Sequence, residues 1–228
     1  MNVAIVVAAG KGTRLGGDRP KQFLELGGVP VIIHTLRQFE LSKQINEVIT
    51  VLPADDTAGF ESLARKFELS KFRRVVAGGE TRAQSVRNGL NAIVQADVVA
   101  VHDGVRPFVT PEEIDQVVAA AGKSGAAILT APVADTIKRV EGDRIVQTIS
   151  RAELRRALTP QCFHFEILKR AYEQLSELES SGIEITDESM LVEKLGVSVV
   201  AVEGSARNIK ITNEADLAIA NRLLTSDF

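Results

Sequence analysis

Between Gly10 and Gln22 the chain sets four glycines (Gly10, Gly12, Gly16, Gly17) among four cations (Lys11, Arg14, Arg19, Lys21), with Asp18 as the one anion. Glycine has no Cβ, so backbone N–H groups approach a ligand closely, and the cations supply the charge a polyphosphate requires. The preceding run Val3–Val7 is apolar and mostly β-branched, the pattern of a parallel strand buried on both faces. Two familiar phosphate loops are excluded by spacing. The dinucleotide fingerprint needs a third glycine where Leu15 stands, and the P-loop needs Gly-Lys-Ser/Thr after a four-residue gap. The alternative, a solvated basic loop, gives no reason for so many glycines beside such one-sided charge.

A second group of candidates follows the apolar strand Asp97–Val101, which ends in His102-Asp103-Gly104-Val105-Arg106-Pro107. In open α/β sheets ligands gather beyond the carboxyl ends of the strands, which makes Asp103 the candidate metal ligand. The competing reading is an aspartate that ties down its own turn with help from Arg106. His102 is expected to support Asp103 rather than react. A third group, Gly78-Gly79-Glu80-Thr81-Arg82-Ala83-Gln84-Ser85, links the strand Arg74–Ala77 to a helix expected to reach about Ala96. Its N–H and hydroxyl groups either meet a base and ribose or serve only to cap the helix. Lys210 stands between Ile209 and Ile211 in a short extended segment, so its ammonium leaves on the opposite side from both. Cys162, beside Phe163, reads as a small buried apolar residue, and His34 as structural or solvated.

Pro30 opens a helix with Ile32, Ile33, Leu36 and Phe39 at helical spacing. Glu47–Leu52 is a strand stopped by Pro53, and Asp55 or Asp56 is expected to cap a helix through Phe67. Thr110-Pro111-Glu112-Glu113 starts a helix to about Ala121, and Ala126–Thr130 is a further strand. This alternation predicts a doubly wound, mostly parallel α/β sheet flanked by helices, in one domain over residues 1–228. Composition then shifts. Thr136–Val140 and Arg144–Ile149 flank the turn Glu141-Gly142-Asp143 as two polar strands at about 135–150. An isolated hairpin is marginal in water, so it is expected to be a protruding dimerisation arm; the other possibility is a hairpin folded back on its own domain. Ser150–Gln161 reads as a short helix closing at Pro160, and Phe165–Ser180 as an amphipathic helix. Thr186-Asp187-Glu188 caps a helix to Leu195, Val197–Val202 is a strand, and Asn213 caps the last helix.

Composition narrows the function classes. The 27 basic and 30 acidic residues of this 228-residue chain leave a net charge of −3, which argues against nucleic acid or an anionic membrane surface as partner. One cysteine excludes an intramolecular disulfide and a cysteine-based zinc site, and fits a reducing cytoplasm. Neither a secretory leader nor an apolar run long enough for a bilayer is recognisable, so a cytoplasmic location is expected.

The words Ala8-Ala9-Gly10 through Arg14 and Pro20-Lys21-Gln22 resemble the nucleotidyltransferases that activate sugar and polyol phosphates with a nucleoside triphosphate. Further matching words are Gly78-Gly79 with Arg82 and Ser85, His102 through Pro107, Ala131 through Thr136, Leu158 through Gln161, Thr186-Asp187-Glu188 and Asn208-Ile209-Lys210. With these the whole chain is similar to the 2-C-methyl-D-erythritol 4-phosphate cytidylyltransferases, which couple a polyol phosphate to CTP in the non-mevalonate isoprenoid route. Where that family writes Asp-Ala-Ala-Arg-Pro, this chain has Asp103-Gly104-Val105-Arg106-Pro107. The resemblance implies a nucleotide over Ala8, Ala9, Gly10 and Gly12, near Gly79, Glu80, Ser85 and Asp103. Arg14 and Lys21 would hold the triphosphate. Thr186 and Lys210 would meet the polyol phosphate, with Arg106, Thr136 and Arg151 from a partner's arm or its surroundings. Arg14, Lys21, Arg151 and Lys210 would be the catalytic set. The resemblance also implies Mg²⁺, held mainly by phosphates, and a homodimer. The alternative is a transferase for ribitol 5-phosphate or another polyol or sugar phosphate.

Overall fold

The computed structural model describes residues 1–10 and 20–225. In chain order the elements are β1 (Val3–Val7), β2 (Glu25–Leu26), β3 (Val29–Pro30), α1 (Val31–Leu41), β4 (Glu47–Leu52), α2 (Thr57–Lys66), β5 (Phe72–Ala77), α3 (Arg82–Asn91), β6 (Val98–Asp103), α4 (Pro111–Ser124) and β7 (Ala126–Pro132). Then follow β8 (Ile137–Glu141), β9 (Arg144–Ile149), β10 (Arg155–His164), α5 (Phe165–Glu173), α6 (Leu175–Ser180), α7 (Glu188–Lys194), β11 (Val200–Glu203) and α8 (Glu214–Thr225).

Seven strands form the central sheet in the order β11-β7-β10-β6-β1-β4-β5. β1 is wholly buried because it pairs in parallel with β4 on one side and β6 on the other. Its residues alternate between two cores, as a period-2 strand requires. Ala4 and Val6 join the core built with α1, α2 and α4, while Val3, Ile5 and Val7 join the one built with α3, α5, α6 and α7. Helices therefore cover both faces, and the expected doubly wound sheet is present. From β1 the chain fills the sheet outward through β4 and β5, then returns across it to β6. This makes the β1/β6 boundary the point where strand order reverses, the usual place for a ligand crevice.

The largest departure from the sequence reading lies at residues 150–161. Residues 155–161 of the expected helix instead open β10, which pairs antiparallel with β7 and, from Gln161 on, also with β6. Leu154 and Ala157 fall at helical spacing, but β7 offers Arg155–Ala157 backbone partners and β6 joins at Gln161, and pairing decides the outcome. The register shifts between Ala157 and Gln161, so Pro160, which lacks an N–H, sits where ladder pairing is interrupted.

Smaller differences concern boundaries. A 3₁₀ turn at Ala54–Asp56 precedes α2, and Asp56 makes no side-chain cap. α3 stops at Asn91, before Ala96, whereas α4 runs past Ala121 to Ser124 behind a complete Thr110/Glu113 capping box. The helix expected over Phe165–Ser180 breaks at Gln174 into α5 and α6, and β11 begins only at Val200. β8 and β9 pair with each other as a separate two-stranded sheet, and nearly all of their residues are exposed. No helix among the described residues is long and apolar enough to cross a membrane.

Candidate active site

A cleft of about 430 Å³ opens at the carboxyl ends of β1, β5 and β6, lined by residues that include Ala8, Ala9, Gly10, Lys21, Gly79, Glu80, Arg82, Ser85, Asp103 and Lys210. Its floor is backbone packed too tightly for larger residues. A Cβ on Gly78 would lie 2.3 Å from the Ala9 Cβ and 2.9 Å from Ser85 Oγ, and one on Gly104 would lie 2.8 Å from the Ala8 Cβ. The glycine of the Asp103-Gly104-Val105 word thus lets the turn after β6 close onto the end of β1.

One wall is the turn into α3. Thr81 caps that helix by accepting from Gln84 N at 3.1 Å, so the capping reading of the sequence is correct as far as it goes. The same turn also faces the cleft through Gly79, Glu80 and Ser85. The Ser85 hydroxyl is committed within the loop, donating to the Thr81 carbonyl at 2.9 Å and accepting from Gly79 N at 3.1 Å. It shapes the loop and is no nucleophile. Cys162 is fully buried in β10, and burial raises its thiol pKa, so it offers no thiolate.

The other wall is an ion cluster on Asp103. Its Oδ1 accepts from Arg82 Nε at 3.1 Å, and its Oδ2 accepts from Arg106 Nε at 3.2 Å and Lys210 Nζ at 3.0 Å. Burial by itself would raise the Asp103 pKa. The Arg82, Lys210 and Arg106 charges overcome it and hold the carboxyl well below the usual carboxylate range. Arg106 also donates through Nη1 to the Asn208 carbonyl at 2.8 Å, which ties the segment carrying Lys210 to the turn after β6. Arg82 reaches onward to Glu188, Nη1 to Oε1 at 2.7 Å and Nη2 to Oε2 at 3.0 Å. Burial works against the Arg82 charge, but Glu188 and Asp103 outweigh it, and its pKa is raised.

Behind Asp103 lies a buried relay that holds its backbone N–H. Nε2 of His102 meets the Arg106 carbonyl at 3.1 Å, so that nitrogen carries the proton. In the neutral ring Nδ1 then accepts from the Thr159 hydroxyl at 3.0 Å, and that hydroxyl in turn accepts from Asp103 N at 3.2 Å. Burial, only partly offset by Asp103, brings the His102 pKa down to about 4, which fits this neutral tautomer. The expected supporting role of His102 is the one observed. Asn208 Nδ2 completes the relay by donating to the Thr159 carbonyl at 2.8 Å.

Of the residues singled out from sequence, Ala8, Ala9, Gly10, Lys21, Gly79, Glu80, Ser85, Asp103 and Lys210 meet in this cleft. Arg106 stands beside it through Asp103. Gly12 and Arg14 lie outside the described residues. Thr136 and Arg151 are exposed at the base of the β8–β9 hairpin, where the Arg151 guanidinium donates to the Ala134 carbonyl. Thr186 is exposed just before α7. Sequence reasoning named no role in the site for Arg82, Glu188, Thr159 or Gln161. The partners Arg82 and Glu188 are 106 residues apart with no local signal linking them. Thr159 and Gln161 were concealed by the helical reading of their segment.

A doubly wound sheet, a glycine-lined crevice at its switch point, and cations in place of a nucleophile together define a nucleotidyltransferase. The chain matches the family model of IspD, 2-C-methyl-D-erythritol 4-phosphate cytidylyltransferase, over residues 2–226. It is 42% identical over 228 residues to the 2-C-methyl-D-erythritol 4-phosphate cytidylyltransferase of Syntrophus aciditrophicus, covering 99% of this chain and 96% of that one. The enzyme of the same name from Halalkalibacterium halodurans is 41% identical over 220 residues, 96% and 95% of the two chains. The crystal structure of 4-diphosphocytidyl-2C-methyl-D-erythritol synthase from Anaerococcus prevotii superposes with a TM-score of 0.83 at 32% identity, covering 99% of this chain and 96% of that one. The chain belongs to the IspD family.

Proposed function

We propose that the cleft at the ends of β1, β5 and β6 is where this chain carries out its family's reaction, the coupling of 2-C-methyl-D-erythritol 4-phosphate to CTP. The products are 4-diphosphocytidyl-2-C-methyl-D-erythritol and pyrophosphate. An oxygen of the polyol phosphate attacks the α-phosphorus of CTP, the bond from that phosphorus to the bridging oxygen of the β-phosphate breaks, and pyrophosphate departs with the electron pair. The step needs no protein nucleophile. It needs two anions held in line and the developing charge neutralised.

The observation that carries the reading is the convergence of Lys21, Arg82 and Lys210 on one glycine-floored cleft. In it Ala8, Ala9 and Gly10 offer backbone to the nucleotide, and Gly79, Glu80 and Ser85 face its base and ribose. Lys21, with Arg14, takes the triphosphate and the leaving pyrophosphate. Lys210 and Thr186 take the incoming phosphate, and Asp103 keeps Lys210 aimed. Arg106 acts on that phosphate indirectly, by bracing Asp103 and the Asn208 backbone. Thr136 and Arg151 act from a second subunit whose β8–β9 arm reaches this cleft. In support, the arm carries Val140, Ile145 and Val146 at 58%, 66% and 48% exposure. An uncovered apolar set of that kind suits a homodimer.

Mg²⁺ would enter on the triphosphate, where it lowers the charge on the phosphate oxygens. The described residues include no group of three or more His, Cys, Asp or Glu able to hold a metal, and both Asp103 oxygens already accept from cations. The donor set therefore suits a metal carried by phosphates, with Asp103 at most an outer contact. A cytoplasmic setting accords with this chemistry, since the substrates are soluble phosphates.

Pyrophosphate release from CTP with 2-C-methyl-D-erythritol 4-phosphate, beside ribitol 5-phosphate, tests the reading. Turnover is expected with the first and at least tenfold weaker with the second; the reverse order overturns the substrate assignment. Lys21→Ala should lower kcat roughly 10²-fold or more, as loss of a transition-state charge donor does elsewhere.

A further inference from the structure

Glu188 is fully buried, and the mechanism above gives it no contact with either substrate. Its carboxylate is nevertheless fully engaged. Oε1 accepts from Arg82 Nη1 at 2.7 Å and from the Tyr172 hydroxyl at 3.0 Å, and Oε2 accepts from Arg82 Nη2 at 3.0 Å. The guanidinium is planar, so fixing both Nη atoms on Glu188 also fixes the direction of Nε, which donates to Asp103. Glu188 is also the first residue of α7, and its backbone is held separately. Gln161 Oε1 on β10 accepts from Glu188 N at 3.1 Å and Ser189 N at 3.0 Å, while Gln161 Nε2 donates to Asp187 at 2.9 Å. Arg82 also lines an open cleft together with Gly182 through Ile185, the residues just before Thr186.

We propose that Glu188 is a positioning residue that, through Arg82, fixes the Thr186 segment relative to Asp103 and so sets where the polyol phosphate lies against the nucleotide. This rests on the reading of Thr186 as a ligand of the incoming phosphate. Stability alone gives no reason for the arrangement, because an apolar set of the same volume would serve a core as well as a buried ion pair. A shared, planar guanidinium does what an apolar set cannot, since it transmits the position of one carboxylate to the other. Glu188 stands two residues from Thr186 at the start of α7, so when it is altered the polyol phosphate side should suffer more than the nucleotide side.

The test is steady-state kinetics of Glu188→Gln and Glu188→Asp beside the wild type, with CTP affinity from calorimetry and thermal midpoints as the control for folding. For Glu188→Gln, kcat/KM for 2-C-methyl-D-erythritol 4-phosphate should fall roughly 10- to 100-fold, as misplacement of a reacting group does. CTP affinity should move less than about threefold on the same argument. Glu188→Asp, which keeps the charge, should recover part of the loss. Should Glu188→Gln not fold, Tyr172→Phe, which removes only the hydroxyl donor to Oε1, should show the same split at a smaller scale. Unchanged kcat/KM in the folded variant, or equal losses for both substrates, overturns the positioning role while wild-type turnover leaves the function reading intact. A wild type that releases no pyrophosphate from these substrates overturns both.

Discussion

The cluster around Asp103 and the hairpin β8–β9 are both rich in charge, and they use it in opposite ways. In the cluster, Arg82, Arg106 and Lys210 share two carboxylates, Asp103 and Glu188, at distances of 2.7 to 3.2 Å. Both carboxylates are buried, so each is aimed by its partners. On the hairpin, Lys138 donates to Thr148 at 2.7 Å across the two strands, but the charged side chains stand in solvent and the exposed hydrophobics are apolar ones. Buried charge here fixes direction, whereas exposed charge keeps a surface soluble until something covers the apolar residues between. The cluster is complete within one chain. The hairpin, on the proposed dimer, would be one half of an interface.

Removing the shared anion attacks the first half of that comparison. Asp103→Asn leaves the partly exposed Arg82, Arg106 and Lys210 without their common carboxylate, at an expected cost of about 1–3 kcal/mol in urea unfolding, alongside a large loss of turnover. A variant as stable as the wild type would show that the cluster does not behave as buried charge.

The relay behind Asp103 gives a second, smaller handle. His102 has its pKa lowered from 6.5 to about 4, so between those values the unfolded chain binds more protons than the folded one. Stability therefore rises with pH through this window: it is complete above about pH 6.5 and drains as pH falls toward 4, with roughly 2 kcal/mol lost between pH 7 and pH 5. Asp103, also held low, adds its own loss only below about pH 4. Denaturant unfolding at pH 7 and pH 5 should show this slope, and His102→Asn should flatten it.

The hairpin should respond least in stability and most in assembly. Val140→Asp with Ile145→Asp should move the unfolding free energy by less than about 0.5 kcal/mol, because neither residue is in the core. On the proposed dimer, the wild type should sediment as a dimer and the same variant as a monomer. A variant that remains dimeric would return the hairpin to the plainer reading, a surface ribbon of one subunit.

Local chemistry was legible in the sequence where local chemistry decides. The apolar run of β1, the capping box at Thr110 and Glu113, the Asp187 and Asn213 caps, and the self-paired hairpin depend on neighbours within a few residues. So do the glycine turns that floor the cleft and the exit of Lys210 from between two isoleucines. What sequence could not reveal depends on distant partners. Residues 155–164 form a strand because β7 pairs with them and β6 joins from Gln161, against the helical spacing of Leu154 and Ala157. Glu188 meets Arg82 across 106 positions, and Thr159 meets His102 across 57. A cap or a turn is settled by the backbone a side chain already carries. A strand slot or a buried ion pair is settled only when folding has removed water from between groups that the chain holds far apart, and no spacing rule records that.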